Sequence, residues 1–169
     1  MRYARWQPWL STTVRVALAL IWIAAGTSKI GDLNHSGQVV NAYQLMPYSA
    51  AQIVGAALPF VEIVLGLLIL AGLATRVTAV LSTVMFALFI AGIISVWSRG
   101  LSIDCGCFGG GGELAPGQHP SYLWDVIRDT SFLALAVYLL RWPHSWLAID
   151  NWLRGEPQLP DTSAEEPTR

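Results

Sequence analysis

Both cysteines of the chain lie in one short stretch, SIDCGCFGGGGE, which runs from Ser102 to Glu113. Only Gly106 separates Cys105 from Cys107, and glycine lets the backbone turn tightly enough for neighbouring sulfurs to bond or to bind one metal ion. A disulfide across one residue is a strained ring, and strain makes a disulfide easier to reduce. The spacing therefore predicts a pair that cycles between dithiol and disulfide, in a segment that the glycines at 109–112 make flexible.

Metal binding is the alternative chemistry for the same cysteines. His119 shares the loop and His35 lies further towards the N-terminus. Two cysteines and two histidines would suit zinc, and thiolates suit Cu(I). The spacing from Cys107 to His119 matches no compact zinc signature that a second histidine follows. We therefore expect no metal, with copper or zinc at Cys105 and Cys107 as a minor alternative.

Two charged residues outside this stretch interrupt or end apolar segments. Glu62 lies near the middle of an apolar run. A carboxylate at mid-bilayer costs about 2.5–3.5 kcal/mol, so Glu62 is expected to face a protein interior and to be paired or functional. Lys29, the only lysine, ends the first apolar run. It could extend to the membrane interface, or present its ammonium to the CGC loop and favour a thiolate.

The segment WDVIRDTSF contains Asp125, Arg128 and Asp129. Their spacings of three and four residues place them on one face of a helix. Arg128 can pair with either acid and direct its remaining donors inward. A structural ion cluster and a functional site are both open for these residues.

The composition is that of an integral membrane protein. The 169 residues are 54% hydrophobic and 12% charged, whereas soluble domains are about 25% charged. A net charge of −1 without a basic stripe argues against a nucleic-acid partner. The partner that the composition does predict is the lipid bilayer.

Four segments are long and apolar enough to span a bilayer, which takes about 20 residues. They cover about 10–28, 51–74, 77–97 and 122–140. The fold class is therefore an all-α, polytopic four-helix bundle, with residues 1–154 as the membrane domain. A short interfacial helix is expected after the fourth span, and 155–169 is polar and Pro-rich, as in a disordered tail. In the first long loop, SGQVVNAYQL could form an amphipathic helix that lies on the membrane with Val39, Val40 and Tyr43 facing the lipid.

Arginine distribution predicts the orientation. One side of the membrane would hold most basic residues, namely Arg2, Arg5, Arg15, Arg76, Arg141 and Arg154. The opposite side would hold only Lys29 and Arg99. Both termini are therefore predicted to be cytoplasmic in a cell (inner or plasma) membrane. The CGC loop is predicted to be extracytoplasmic, where thiols can cycle with disulfides.

The order of four segments resembles the MauE branch of the DoxX-like membrane proteins. These segments are AAGTSKIGD, LPFVEIVLGLLILAGLATR, DCGCFG and VIRDTSFLAL. The resemblance implies a four-helix membrane protein that takes part in extracytoplasmic thiol–disulfide exchange with a thioredoxin-like partner. The positions carried over as family-motif residues are Lys29, Glu62, Cys105, Cys107, Arg128 and Asp129.

These observations lead to one expected function and two alternatives. The expected function is a thiol–disulfide redox protein whose CGC pair takes electrons from a thioredoxin-like partner and passes them to a quinone. Because the chain has a single cysteine pair, the acceptor must meet that pair directly. Lys29 or Arg128 would stabilise a thiolate or the negative charge on the quinone. Glu62 or Asp129 would supply protons. The predicted quinone-binding residues are Lys29, Arg128 and Glu62. The alternatives are a non-enzymatic docking or assembly factor for a thioredoxin-like or copper-handling protein, and a small-molecule permease.

Overall fold

The structure, a computed structural model, describes residues 3–115 and 117–142. The all-α prediction is confirmed, because five α-helices and a single two-stranded pairing make up this part of the chain. The helices are α1 (Tyr3–Ile30), α2 (Leu33–Ala42), α3 (Tyr48–Ala71), α4 (Thr75–Ser98) and α5 (Tyr122–Arg141). The strands β1 (Ile103–Asp104) and β2 (Gly112–Glu113) flank the CGC turn.

Local signals in the sequence set where the helices begin and end. Asp32 caps α2, because its side chain accepts a hydrogen bond from the backbone N–H of His35 at 2.9 Å. Gly72 ends α3 in the left-handed conformation with φ of 65°, which glycine adopts without steric cost. The chain then reverses at once into α4, so α3 and α4 are antiparallel neighbours.

The bundle is built from two closely packed helix pairs, α1 with α3 and α4 with α5. Small residues let α1 and α3 approach closely. A Cβ added to Gly26 would lie 2.7 Å from the carbonyl oxygen of Pro59, and one added to Gly66 would lie 3.0 Å from that of Ala19. Such small-residue contacts are typical of helix packing in membranes, where burial from water provides no driving force between helices.

A buried aromatic centre joins the two pairs. Trp22 of α1 is 1% exposed and stacks on Phe86 of α4, with ring centroids 4.5 Å apart. Its indole N–H donates a hydrogen bond to the Ser82 hydroxyl at 3.0 Å, so the buried donor is satisfied. Phe86 in turn contacts Phe132 of α5.

Three helices among the described residues are long and apolar enough to cross a membrane: Trp9–Ile30 of α1, Tyr48–Ala71 and Thr75–Ser98. They match three of the four predicted spans. The fourth predicted span is a helix at nearly the predicted residues, Tyr122–Arg141. It is not in this apolar set, because Asp125, Arg128 and Asp129 occupy its first half. That α5 crosses the membrane stays a prediction.

The predicted helix in the first loop exists as α2, but its predicted orientation is wrong. Val39 is buried, and a Cβ added to Gly106 would lie 2.6 Å from its Cγ1 atom. α2 packs on α3 and beside β2, so its apolar face covers the CGC turn instead of lipid. The predicted interfacial helix and the polar tail at 155–169 lie outside the described residues.

Candidate thiol redox site

The CGC turn is a compact hairpin at one end of the bundle. β1 and β2 pair antiparallel, with Asp104 opposite Gly112. Gly106, Gly109, Gly110 and Gly111 between the strands, and Gly112 at the start of β2, all have positive φ, from 66° to 95°. Glycine favours this region because it has no Cβ. The glycines predicted to provide flexibility therefore serve a defined turn.

Two glycines of the turn also allow close contacts. A Cβ on Gly111 would clash with the Cα atom of Gly106, and a Cβ on Gly109 would lie 3.1 Å from the carbonyl oxygen of Ser28 in α1. The turn is therefore packed between α1 and α2, which brings the two long loops of the chain to the same end of the bundle.

We predict that Gly111→Ala opens the turn and that Gly110→Ala does not. Both positions have positive φ, so both variants bear a left-handed alanine, which costs about 1–2 kcal/mol. Only Gly111→Ala adds a backbone clash, since nothing lies within 4 Å of a Cβ on Gly110. Gly111→Ala should therefore lower the thermal unfolding midpoint further and speed alkylation of Cys105. Equal losses in the two variants would show that backbone conformation alone limits the turn.

Arg128 of α5 connects the cysteines to two acids. Its Nη1 atom lies 2.9 Å from Oδ1 of Asp125 and its Nε atom 3.0 Å from Oδ1 of Asp129. Its Nη2 atom donates to the sulfur of Cys105 at 3.3 Å. The guanidinium carbon also lies 5.3 Å from the centroid of the Phe108 ring. The planar group is thus held on three edges and one face.

The two thiols, both reduced in this structure, have different surroundings. A hydrogen bond from the Cys107 thiol lowers the pKa of Cys105, and the Arg128 guanidinium lowers it further, against the effects of burial and of Asp125. The same hydrogen bond, together with burial and the charge of Cys105, raises the pKa of Cys107. The Cys107 sulfur also lies 3.8 Å from Oδ2 of Asp129, to which it can donate. The pair therefore favours a thiolate at Cys105 and a protonated thiol at Cys107.

Two side chains of this site, those of Tyr43 and Phe108, are not among the predicted site residues. The Tyr43 hydroxyl donates to the carbonyl oxygen of Cys105 at 2.9 Å, and burial raises its pKa, so it stays a protonated donor. Phe108 covers Arg128 and makes an edge contact with Phe132. Tyr43 was predicted to face lipid, and only the packing of α2 on the turn shows otherwise. Phe108 directly follows Cys107 in the sequence, and this position is the feature from which a role at the site could have been predicted.

Lys29 and Glu62 form a separate buried ion pair between α1 and α3. Their Nζ and Oε1 atoms are 2.6 Å apart, with side-chain exposures of 8% and 0%. Among the described residues, Oε2 of Glu62 has no hydrogen-bond partner. Glu62 was expected to face the protein interior and to be paired or functional, and this contact shows the pairing; a functional role stays a prediction. Lys29 neither extends to the interface nor binds a thiol, because its ammonium is held by Glu62.

A cavity of about 390 Å³ lies beside the cysteines. Cys105, Cys107 and Lys29 contribute to its wall, which is otherwise mainly apolar and formed by α2, α3 and α4. Leu88 of α4, which is 62% exposed, lies at its rim. The cavity therefore connects the thiols with the lipid-facing side of the bundle. Of the three predicted quinone-binding residues, Lys29 lines it, while Arg128 and Glu62 do not.

The described residues contain one group whose geometry could hold a metal ion, formed by Asp104, Cys105 and Asp125. His35 and His119, the predicted partners in a zinc site, do not belong to this group. Arg128 already binds Asp125 and Cys105, and its positive charge opposes a cation there. The metal alternative therefore has little support in the geometry.

The fold and the site together define a helical membrane protein with a buried, electrostatically asymmetric dithiol beside an apolar cavity. Residues 7–141 match the family described as methylamine utilisation protein MauE, so the chain belongs to the MauE family. The chain is also 30% identical over 132 residues to the methylamine utilization protein MauE of Paracoccus denitrificans. That alignment covers 78% of this chain and 68% of the relative. No solved structure matches the chain.

Proposed function

We propose that this protein is a membrane thiol–disulfide oxidoreductase. Its Cys105–Cys107 pair would accept electrons from a reduced thioredoxin-like protein and pass them to a quinone in the adjoining cavity. The observation that carries the proposal is the contact at 3.3 Å between Arg128 and the Cys105 sulfur, on the wall of an apolar cavity. A cationic neighbour that favours a thiolate is the usual mark of a reactive cysteine.

The cavity supports a quinone as the electron acceptor. A quinone is a flat, lipid-soluble molecule, and the mainly apolar wall with its lipid-facing rim suits such a ligand. Lys29 supplies a charged donor on that wall, and its ammonium has three N–H groups, of which Glu62 accepts one. The residues that would hold the quinone are thus Lys29 and the apolar side chains of α3 and α4.

The overall reaction balances with the protonation states that the site favours. The Cys105 thiolate, the Cys107 thiol, one quinone and one proton give the disulfide and one hydroquinone. Asp129 is 1% exposed and within reach of the Cys107 sulfur, so it is placed to take the proton that Cys107 loses. In this proposal the cysteine end of the bundle faces the extracytoplasmic side, where a thioredoxin-like partner would meet it.

Trapping the thiols by alkylation in living cells tests this proposal. With quinone supply intact, we expect Cys105 and Cys107 to be mainly oxidised; when quinone synthesis is blocked, the reduced fraction should rise to nearly all of the protein. The reagent should be membrane-impermeant, so that labelling also reports which side the pair faces. A pair that stays reduced whatever the quinone supply would favour the second candidate below.

A docking or assembly factor is the second candidate, and the exposed Phe108 ring favours it. This side chain is 39% exposed and directly follows Cys107, so a partner could bind there without electron transfer to quinone. In that case cells would contain a mixed disulfide with a partner whose amount does not change with quinone supply. A bound copper ion in the purified protein would point to the copper-handling form of this function.

A further inference from the structure

We propose that the two cysteines have fixed and different roles: Cys107 is the sulfur that exchanges with the partner, and Cys105 is the leaving sulfur that Arg128 receives as a thiolate. This assignment rests on the proposed function and deepens it. Its first support is access. Cys105 is 7% exposed, whereas Cys107 is partly exposed and is followed by the exposed Phe108. A partner that binds over the exposed Phe108 ring therefore lies next to Cys107, the less covered of the two residues.

The second support is the fixed orientation of Arg128. Asp125 and Asp129 each accept one of its N–H groups, and the Phe108 ring lies against its face. The remaining edge points to the Cys105 sulfur through Nη2. A guanidinium held in this way provides a donor for negative charge on Cys105 without having to reorganise when the charge forms.

The third support is the acid beside Cys107. Oδ2 of Asp129 lies 3.8 Å from the Cys107 sulfur, and its other oxygen binds Arg128. A carboxylate next to a sulfur disfavours a second negative charge there and accepts a hydrogen bond from the neutral thiol. Cys107 is therefore favoured as the sulfur that ends each exchange as a neutral thiol.

The exchange balances in atoms, electrons and protons. A partner thiolate attacks the Cys107 sulfur, the Cys105–Cys107 bond breaks, and Cys105 leaves as a thiolate with the bonding electron pair. The partner's second thiol then gives up its proton and attacks the partner sulfur of the mixed disulfide. Cys107 leaves with the electrons and gains that proton through Asp129. The partner becomes a disulfide, and the protein ends with a thiolate at Cys105 and a thiol at Cys107. A leaving thiol of lower pKa leaves faster, which agrees with this order.

Glutathione, as a monothiol probe, tests the assignment in the unchanged protein. The purified full chain is oxidised with diamide, treated briefly with reduced glutathione, quenched in acid and alkylated with N-ethylmaleimide. Tandem mass spectrometry then locates each group, since a backbone break at Gly106 separates the two cysteines. We expect glutathione on Cys107 and N-ethylmaleimide on Cys105, in at least about tenfold excess over the reverse.

The outcomes separate this inference from the function on which it rests. Glutathione mainly on Cys105 would overturn the assignment and leave the proposed oxidoreductase standing. If diamide produces no Cys105–Cys107 disulfide at all, both the assignment and the proposed function are wrong.

The pH dependence of alkylation gives a second and independent measurement. In the Cys107→Ser variant, the serine hydroxyl keeps a donor beside Cys105, and iodoacetamide reacts with one thiol only. We expect the alkylation rate of Cys105 in this variant to rise with pH with a midpoint below the ordinary cysteine pKa of about 8.5. Arg128→Gln in this background should raise the midpoint by at least about one pH unit, and Arg128→Lys should raise it less. The midpoint reports the ionisation of the Cys105 thiol and not its accessibility to the reagent. If Arg128 only supported the fold, its replacement would leave the midpoint unchanged.

The sign follows from the charged and titratable groups that face the pair, including Asp129 beside Cys107. Lys29 on the shared cavity wall is held by Glu62 and is the same in every variant. Arg128 favours the thiolate at Cys105, whereas Asp125 on the same helix opposes it, and Asp104 of β1 lies close by. Tyr43, which directly follows α2, is a neutral donor to the backbone. Replacing Arg128 removes its positive charge from beside Cys105 and leaves the acids, so the midpoint must rise. An unchanged midpoint in Arg128→Gln would overturn the role of Arg128 as the receiver of the leaving thiolate.

Discussion

Serine at either Cys105 or Cys107 should reduce thiol-dependent quinone reduction to the background rate. The assay supplies the purified protein with reduced thioredoxin and a short-chain ubiquinone, and follows hydroquinone formation by absorbance. Transfer of two electrons through a disulfide requires both sulfurs, and the chain contains only two cysteines. No second pair can take over, so the loss should be complete in each single variant.

The control for this experiment is Ser102→Ala, at an exposed position three residues before Cys105. It should keep the full rate. The cysteine variants should also keep an unfolding midpoint close to that of the unchanged protein, because serine is nearly the same size as cysteine. Full turnover by Cys105→Ser would refute the proposed electron path, whatever the result for Cys107→Ser.

Breaking the buried ion pair should have the largest effect on stability. We expect Lys29→Met or Glu62→Met to lower the free energy of unfolding by about 3–5 kcal/mol, since each leaves one uncompensated charge inside the bundle. The pair joins α1 to α3 at 2.6 Å, and the Glu62 side chain is completely buried. Equilibrium unfolding of the detergent-solubilised protein in urea measures this difference.

The double variant Lys29→Met/Glu62→Met is the matched control. Replacing both charges with apolar side chains removes the desolvation cost of each, so most of the lost stability should return. If the double variant lost as much free energy of unfolding as the two single variants together, the two charges would not act as a pair. The same stable double variant tests the cavity: if Lys29 helps to hold the quinone, its rate of quinone reduction falls although the fold is intact.

How much of this structure was predictable depends on how local each signal is. The helices followed from apolar runs whose length matches a bilayer, and the ends at Asp32 and Gly72 follow from capping rules that act over a few residues. The cluster on α5 followed from helical spacing, which places Arg128 and Asp129 about one turn from Asp125 on the same face. The fourth predicted span stays a prediction, because those same charges lower the hydropathy of its first half.

Other features depend on contacts between distant parts of the chain. The position of Lys29 in the sequence allows two surroundings for its ammonium, the membrane interface and the thiols. In the structure the ammonium instead pairs with Glu62, 33 residues away. Tyr43 was assigned to lipid because an amphipathic helix shows only that one face is apolar, and not what that face meets. Gly109–Gly112 was read as flexible because composition does not distinguish a loose loop from a turn that needs positive φ.

The sequence by itself determined that this is a helical membrane protein, that its two thiols are those of Cys105 and Cys107, and that it belongs with proteins of the MauE type. Chain composition, periodicity and motif order carry that information directly. Only the tertiary structure decided that the two cysteines are unequal, because the difference comes from which groups surround each sulfur. Arg128 reaches Cys105 from α5, Asp129 lies beside Cys107, and α2 closes over the turn between them. Burial and electrostatic interaction depend on distances in space, and the packing of the helices sets those distances.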